Sequence, residues 1–355
     1  MTLLEVQTLT STDKDLPLKL LTKLLFERLG YVAEIAVEIS AKAYAGDFKK
    51  RIYSDYDVLG TKFEPDLYRH RIAAECKSGE AKAVEEVLKL RGVLSTFGIE
   101  RGYFVKTRAS QTAKDLAGRA GISVLGSEEL EGFLKTAYGV DPKAVVAAEF
   151  AVYSLNRGLD VRFNNEFQKA WRFLRFEYWN REPHRNLQGI IHILAGDKEK
   201  LRPDDSANRY GFLRLVFHFA LSLLEMCGKV IGSGLTDPTR TFGVLFFGGP
   251  RERREREGLF DMIHQSLPPQ QAMPKFEPDY MLDLDELVLR IVRSAPEAAM
   301  IPAFVQGVID EKFANASDRV GKYSSVTRKL AQDTALFLAK AAGVQRGIAE
   351  DLLSY

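Results

Sequence analysis

The residues best suited to chemistry are two carboxylates and a lysine in two neighbouring apolar segments. Asp57 lies in the run SDYDVLG, and Glu75 and Lys77 lie in the run AAECKSG that follows it. In a β-strand, residues two positions apart share a face, so Glu75 and Lys77 project together and Cys76 points into the opposite layer. If the two segments pair as a hairpin, Asp57 approaches Glu75 from the neighbouring strand.

Two adjacent carboxylates repel each other unless they are protonated or neutralised. A hard divalent cation satisfies both, and Mg²⁺ is the expected ion, with Mn²⁺ as a substitute. Such a metal lowers the pKa of its bound water and neutralises charge on a phosphate oxygen, while a lysine orients the water, helps to deprotonate it or stabilises the transition state. These are the parts needed to hydrolyse a phosphodiester. The alternative is that an acid-x-lysine triplet is only a set of solvated surface charges.

The surrounding pattern predicts an α/β domain with a mixed sheet flanked by helices. Leucines at helical spacing predict a helix over residues 16–29, and apolar alternation predicts strands over 31–40, 52–63 and 68–76, the last two joined by a Pro-Asp turn at 64–66. A helix over 80–97 is expected to bury Val84, Val87, Leu88 and Leu94. The remaining elements alternate: strand 102–107, helix 110–120, strand 122–125 and helix 127–138.

This N-terminal third resembles the PD-(D/E)xK nuclease superfamily, whose members share the restriction-endonuclease-like fold, and within it the Mrr-like catalytic domains. The matching segments are FERLGY, DYDVLG, AAECKSGE, RGYFVKT and SQTAKDLAGRAGISVLGSEELEGFL, in that order. The resemblance implies that Asp57 and Glu75 bind the metal, that Cys76 lends it a backbone carbonyl, and that Lys77 is the catalytic lysine.

The chain departs from the family pattern at two places. Tyr56 stands where the family usually has proline, and Lys19 and Leu20 stand where many members have a glutamate in the first helix. Glu27, nearer the end of that helix, is therefore given only an ancillary role. Asp55 shares a face with Asp57 and is interpreted as a solvated neighbour rather than a further ligand.

A boundary is predicted at residues 139–142, which read Gly-Val-Asp-Pro. Beyond it, helices are expected over 143–156, 164–179, 209–229, 284–293 and 323–342, with a strand or buried loop at 241–247 and a proline-rich loop at 267–278. The prediction is a nuclease-like domain at 1–140 and a mainly helical domain at 141–355 for target selection, dimerisation or contact with a protein partner.

Two further segments allow more than one interpretation. The run WRFLRFEYWNREPHR (171–185) interleaves aromatics with arginines, as stacking and phosphate-contacting surfaces do. The preferred interpretation is an amphipathic helix with Trp171, Leu174 and Tyr178 in the core. The run RERRER (251–256) is interpreted as the solvated start of a helix.

Composition excludes several classes of protein. The 355 residues include 50 basic and 48 acidic side chains, which argues against binding nucleic acid by bulk charge alone but permits a local basic groove. Two cysteines cannot form a disulfide framework or a four-cysteine zinc site. The polar start is unlike a secretory signal, and the apolar stretch 212–227 carries Arg214, His218 and Glu225, so a buried helix with His218 in the core is expected. We expect a cytoplasmic protein without membrane association.

The sequence therefore predicts a Mg²⁺-dependent nuclease that cuts phosphodiester bonds of DNA, in restriction or another form of prokaryotic (antiviral) defence. Cutting both strands ordinarily needs two sites, so a homodimer is expected. Two alternatives stay open, namely a nuclease that acts on RNA and a non-catalytic module on the same fold that binds nucleic acid or protein.

Overall fold

The computed structural model describes residues 13–40, 52–79, 82–108, 110–234, 237–266 and 275–355. Its sheet has five strands in chain order: β1 (Val32–Ser40), β2 (Ile52–Phe63), β3 (Arg69–Lys77), β4 (Arg101–Lys106) and β5 (Ile122–Gly126). β1 and β2 pair antiparallel, whereas β3, β4 and β5 pair parallel. Residues 64–68 join the neighbours β2 and β3, and so short a connection requires an antiparallel pair. The predicted mixed α/β sheet is confirmed.

Helices cover both faces of this sheet. They are α1 (Leu16–Arg28), α2 (Ala83–Thr96), α3 (Gln111–Arg119) and α4 (Ser127–Tyr138). On one face, Leu25 and Phe26 of α1 and Leu134 of α4 pack with Val58 and Cys76 of the strands. On the other face, side chains of α2 and α3 pack against β2, β3 and β4. Parallel strands need this cover on both sides, and the crossover helices supply it.

Local sequence signals explain how these elements begin and end. The Pro-Asp turn between β2 and β3 is closed by the Leu67 amide, which donates to the Glu64 carbonyl at 2.8 Å. The Ser110 hydroxyl caps α3 by accepting the Ala113 amide. Gly139 follows α4 with a left-handed φ of 64°, a conformation that glycine adopts without strain.

The buried face of α2 differs from the one that the sequence predicted. Val87, Leu90 and Leu94 are buried, whereas Val84 and Leu88 are 39% and 55% exposed. The prediction was right for Val87 and Leu94 and wrong for Val84 and Leu88. Leu90 completes the row i, i+3, i+7 with Val87 and Leu94, and Leu88 lies roughly 100° around the helix from Val87.

Contacts divide the chain into two compact units. The first holds the described residues up to Lys62, then Arg69–Asn180 and Ile309–Arg319, and the second holds Phe63–Tyr68, Arg181–Val308 and Val320–Tyr355. The first unit runs past residue 140 because α5 (Pro142–Glu166) packs against α1. The roles assigned to residues 1–140 and 141–355 stay predictions.

The remainder of the described chain is mostly helical, as predicted. Its helices are α6 (Gln168–Arg172), α7 (Pro183–Asp197), α8 (Ser206–Gly232), α9 (Pro238–Phe246), α10 (Pro250–Ser266), α11 (Met281–Arg293), α12 (Ala295–Ala298), α13 (Ile301–Ala314), α14 (Ser325–Ala342) and α15 (Glu350–Leu353). Within the described ranges α8 is the one helix long and apolar enough to cross a membrane, but 72% of its apolar window is buried, as in a core helix. His218 on α8 is buried, and its Nδ1 lies 2.7 Å from the Arg214 carbonyl, which confirms its assignment to the core.

The predictions for three segments of this helical part have different outcomes. Residues 241–247 were expected as a strand or buried loop but lie largely in α9, which begins because the Asp237 carboxylate accepts the Arg240 amide and Pro238 occupies the first turn. The run RERRER opens α10, as expected. Of the proline-rich segment 267–278, residues 267–274 lie outside the described residues.

The helices predicted at 143–156 and 164–179 also have different bounds. α5 continues without a break to Glu166, and after α6 the chain forms a π-helical turn (Phe173–Glu177) and a short 3₁₀ turn (Tyr178–Asn180). Tyr178 is buried as predicted, whereas Trp171 and Leu174 are only half-buried.

Candidate active site

Asp57 is a buried carboxylate held at both of its oxygens. It lies on β2 and is 4% exposed. Its Oδ2 accepts a hydrogen bond from the Cys76 amide at 2.7 Å, and its Oδ1 lies 2.8 Å from the Lys19 ammonium. The backbone of β3 therefore fixes the position of this carboxylate on β2.

Glu75 and Lys77 lie on β3 and meet Asp57 at the same place. The Lys77 Nζ is 2.6 Å from Glu75 Oε1 and 3.9 Å from Asp57 Oδ2. One ammonium thus contacts carboxylates from two neighbouring strands. Cys76, between them in sequence, faces the other layer, where its Sγ lies 3.5 Å from the Thr22 hydroxyl of α1. The structure brings Asp57, Glu75 and Lys77 together, and their catalytic roles stay predictions.

Lys19 is a member of this cluster that the sequence reasoning missed. It lies on α1, is 8% exposed, and binds both Asp57 and Asp13, each at 2.8 Å. Its position in the leucine-rich helix is one of the two places where the chain departs from the family pattern. A lysine among the buried leucines of α1 needs an acidic partner, and this is the signal that could have identified it.

Asp15 links the end of β3 to the start of α1. Its Oδ1 accepts the Ser78 amide at 2.6 Å and the Ser78 hydroxyl at 2.5 Å. Burial opposes ionisation, but the hydrogen bonds from Ser78 lower the pKa of Asp15 below its usual value. This contact keeps the residues that follow Lys77 close to the helix that carries Lys19.

Burial and a neighbouring charge raise the pKa of Glu75, and neighbouring carboxylates raise the pKa of both lysines in the cluster. Burial and the nearby Asp57 charge raise the pKa of Glu75, and Lys77 offsets this only in part. Burial opposes the charge on Lys77, but the hydrogen bond to Glu75 raises its pKa to about 12. The pKa of Lys19 is likewise raised by Asp13 and Asp57 against the effect of burial. Both lysines are therefore cations at neutral pH, and Glu75 binds a proton more readily than an ordinary glutamate does.

The donor set fits a hard divalent cation. Asp57 and Glu75 would supply carboxylate oxygens, and the Cys76 backbone carbonyl stays a predicted further ligand. Among the described residues no group of three or more His, Cys, Asp or Glu side chains could hold a metal, so a cation here would take its other ligands from the main chain and water. Mg²⁺ commonly binds through one or two carboxylates and keeps several waters.

The remaining candidates have other positions. Asp55 is exposed, in agreement with a solvated neighbour, and its charge adds to the repulsion that raises the pKa of Glu75. Glu27 belongs to another ionic cluster, where it binds Lys23, which also lies 3.0 Å from Glu149. Burial raises the pKa of Glu27.

The aromatic and basic segment after α6 packs against β1, the edge strand of the sheet. The Arg175 guanidinium lies 5.0 Å from the centre of the Trp171 ring and pairs with Glu38 of β1. Trp171 and Arg175 are thus partners within the chain, and contact of this segment with nucleic acid stays a prediction.

No protein-family model, curated protein or solved structure matches this chain. The chemistry of the site is therefore the basis for a functional assignment.

Proposed function

We propose that this chain is a metal-dependent nuclease that hydrolyses phosphodiester bonds of DNA, on a domain of the PD-(D/E)xK, restriction-endonuclease-like type. The observation that carries the proposal is the meeting of Asp57, Glu75 and Lys77 at two neighbouring strands, with one ammonium within 4 Å of both carboxylates. Buried like charges with hard oxygen donors are typical of sites that bind Mg²⁺.

The order of elements supports the same class. The helix α1 precedes three antiparallel strands, and α2 leads from β3 into the parallel strands β4 and β5. The segments quoted for the resemblance fall on these elements in turn. By the resemblance, Asp57 and Glu75 correspond to the acidic ligands of the family.

The proposed roles of the site residues follow from their charges. When bound, Mg²⁺ supplies a polarised water and neutralises charge on the phosphate. Asp57, held by the Cys76 amide and Lys19, provides a carboxylate that does not need to reorganise. Lys77, with a pKa near 12, stays protonated at neutral pH. It therefore stabilises the developing negative charge and orients the water as a donor, rather than acting as a general base.

A second candidate function is a non-catalytic module that binds nucleic acid or protein. The observation in its favour is the pairing of the two carboxylates with two lysines, Lys19 and Lys77, which neutralises the carboxylates without a metal ion. A buried ion-pair network of this kind can serve structure alone.

Incubation with nucleic acids separates the two candidates. Supercoiled plasmid, linear DNA and RNA are incubated with Mg²⁺, with Mn²⁺ and with chelator. We expect DNA cleavage that chelator abolishes and that Asp57→Asn and Lys77→Met reduce by about 100-fold or more. The matched control is Lys82→Met, because the Lys82 side chain is 79% exposed and lies outside the cluster.

Circular dichroism confirms that each variant is folded. Preference for RNA in the same assay would assign a ribonuclease. Binding without cleavage, unchanged by Asp57→Asn, would contradict the enzyme and support the module. Restriction or another form of prokaryotic defence is the biological setting that the family resemblance suggests.

A further inference from the structure

Lys19 is held between two carboxylates of unequal exposure. Its Nζ lies 2.8 Å from Asp57 Oδ1 and 2.8 Å from Asp13 Oδ2. Asp57 is buried, whereas the Asp13 side chain is 40% exposed and lies just before α1. One ammonium therefore bridges a buried carboxylate of the site and an outer carboxylate near the surface.

Asp13 is oriented by hydrogen bonds of its own. Its Oδ1 accepts the Asp15 amide at 3.0 Å, and its backbone carbonyl accepts the Leu16 amide at 3.2 Å. Asp15 is in turn bound to Ser78 at the end of β3. Because these contacts hold the outer carboxylate in place, it can pair with the Lys19 ammonium without help from β2.

A divalent cation on Asp57 and Glu75 meets two ammoniums that already pair with these carboxylates. Lys77 lies within 4 Å of both, and its side chain is 29% exposed, so it can turn toward water. The Lys19 side chain is only 10% exposed, and without a carboxylate its charge would be buried and unpaired. Lys19 can therefore release Asp57 at low cost only if a second acid holds its ammonium.

We propose that Lys19 and Asp13 are positioning residues that set the affinity of the site for its metal ion, an inference that rests on the proposed metal site at Asp57 and Glu75. In the metal-free chain, the Lys19 ammonium neutralises Asp57 and competes with a divalent cation. In the metal-bound chain, Asp57 is a ligand, and Lys19 stays paired with Asp13 alone. Asp13 is thus the acceptor that keeps the released ammonium from being left without a counter-ion.

A long-range attraction between the Asp13 charge and the metal ion is the competing explanation. Such an attraction acts directly on the ion, so it persists when Lys19 is replaced by a neutral side chain. The effect proposed here passes through the Lys19 ammonium and disappears with it. A double-variant cycle at Asp13 and Lys19 therefore separates the two explanations.

Calorimetric titration of Mn²⁺ into the chelator-treated full chain measures this affinity with no substrate present. We expect Lys19→Met to bind Mn²⁺ about 10-fold more tightly than the wild type and Asp13→Asn about 10-fold more weakly. Asp13→Glu keeps the charge and should restore most of the wild-type affinity. In the Lys19→Met chain, Asp13→Asn should change the affinity by less than about 2-fold, because no ammonium is left for Asp13 to hold.

The matched control for Asp13→Asn is Asp115→Asn. Asp115 is an exposed aspartate of the same domain that accepts a hydrogen bond from Gln111 within α3, outside the cluster. Its replacement should leave the Mn²⁺ affinity unchanged. Circular dichroism confirms the fold of each variant. If Lys19→Met does not fold, Asp13→Asn and Asp13→Glu still test the proposal, because the Asp13 side chain is largely open to solvent.

A crystal structure of the Mn²⁺-bound chain tests the exchange of partners directly. The Lys19 ammonium should keep its contact with Asp13 and lose its contact with Asp57. Continued contact with Asp57 in the presence of the ion would overturn the proposal. Weaker Mn²⁺ binding in Lys19→Met would also overturn it, since Lys19 would then orient Asp57 for the ion. An equal effect of Asp13→Asn with and without Lys19 would overturn the role of Asp13.

These results are independent of DNA cleavage. The expected affinities in a chain that does not cleave DNA would support this inference and contradict the nuclease. Cleavage by a chain whose Mn²⁺ affinity is the same in the wild type, Lys19→Met and Asp13→Asn would do the reverse. Absence of Mn²⁺ binding in every variant would overturn both.

Discussion

Replacing Lys19 by methionine measures how far the cluster depends on its second lysine. Lys19 and Asp57 are 8% and 4% exposed, and their ammonium and carboxylate lie 2.8 Å apart. Methionine keeps the length and the apolar stem of lysine but removes the charge. Asp57 Oδ1 then loses this cation, whereas Oδ2 keeps the Cys76 amide at 2.7 Å.

The expected cost follows from these contacts. Removing one partner of a buried ion pair destabilises a protein by about 3–5 kcal/mol. Lys19→Met should fall at the lower end, about 3 kcal/mol, because the Cys76 amide and the Lys77 ammonium, 3.9 Å away, still stabilise the Asp57 charge. Asp57→Asn in the same chain removes the remaining charge. The double variant should therefore be about 1–2 kcal/mol more stable than the sum of the single effects predicts.

Urea unfolding followed by circular dichroism at pH 7 with chelator gives the free energies of the wild type, both single variants and the double variant. Lys82→Met is the control, with an expected change within about 0.5 kcal/mol. Added Mg²⁺ should stabilise Lys19→Met more than the wild type, since the cation then replaces the missing charge. A cost below about 1 kcal/mol, or strictly additive single effects, would refute the account of Lys19 as the charge partner of Asp57.

Two further predictions concern the sheet itself. Burial and the Asp57 charge raise the pKa of Glu75 above its usual 4.5 in the folded chain. Protonation of Glu75 therefore stabilises the folded state, and this contribution is lost as pH rises through the pKa of Glu75 in the folded chain. Glu75→Gln should thus gain stability relative to the wild type as pH rises above 4.5 in thermal unfolding, and a constant difference would contradict this. Ala36 on β1 has a left-handed φ of 57°, so Ala36→Gly should stabilise the chain by up to about 1 kcal/mol, whereas Ala33→Gly on the same strand should destabilise it. Equal effects of these two glycine substitutions in urea unfolding would count against strain at Ala36.

The elements of the first domain could be predicted closely because their signals are local. Alternation over β2 and β3 and the Pro-Asp turn between them place Asp57, Glu75 and Lys77 at one site once the hairpin forms. The Ser110 cap and the glycine after α4 likewise mark helix ends in the sequence alone.

The parts that could not be predicted depend on how elements pack. Lys19 reaches Asp57 only because α1 docks against the sheet face that also buries Cys76. The core buries Leu90 of α2 rather than Leu88, and this determines which side of the helix is exposed. The helical pattern in the sequence would fit either leucine in the core. The apolar run of α9 resembles a strand in sequence. It forms a helix because Asp237 and Pro238 provide a helix start signal immediately before it.

The central claim is that Asp57 and Glu75 share one divalent cation, and calorimetric titration of Mn²⁺ into the metal-free protein tests it most directly. The account predicts one bound ion per chain, loss of this binding in Asp57→Asn, weaker binding in Glu75→Gln, and unchanged binding in Lys82→Met. Failure of the wild-type chain to bind Mn²⁺, or equal binding in Asp57→Asn, would contradict it.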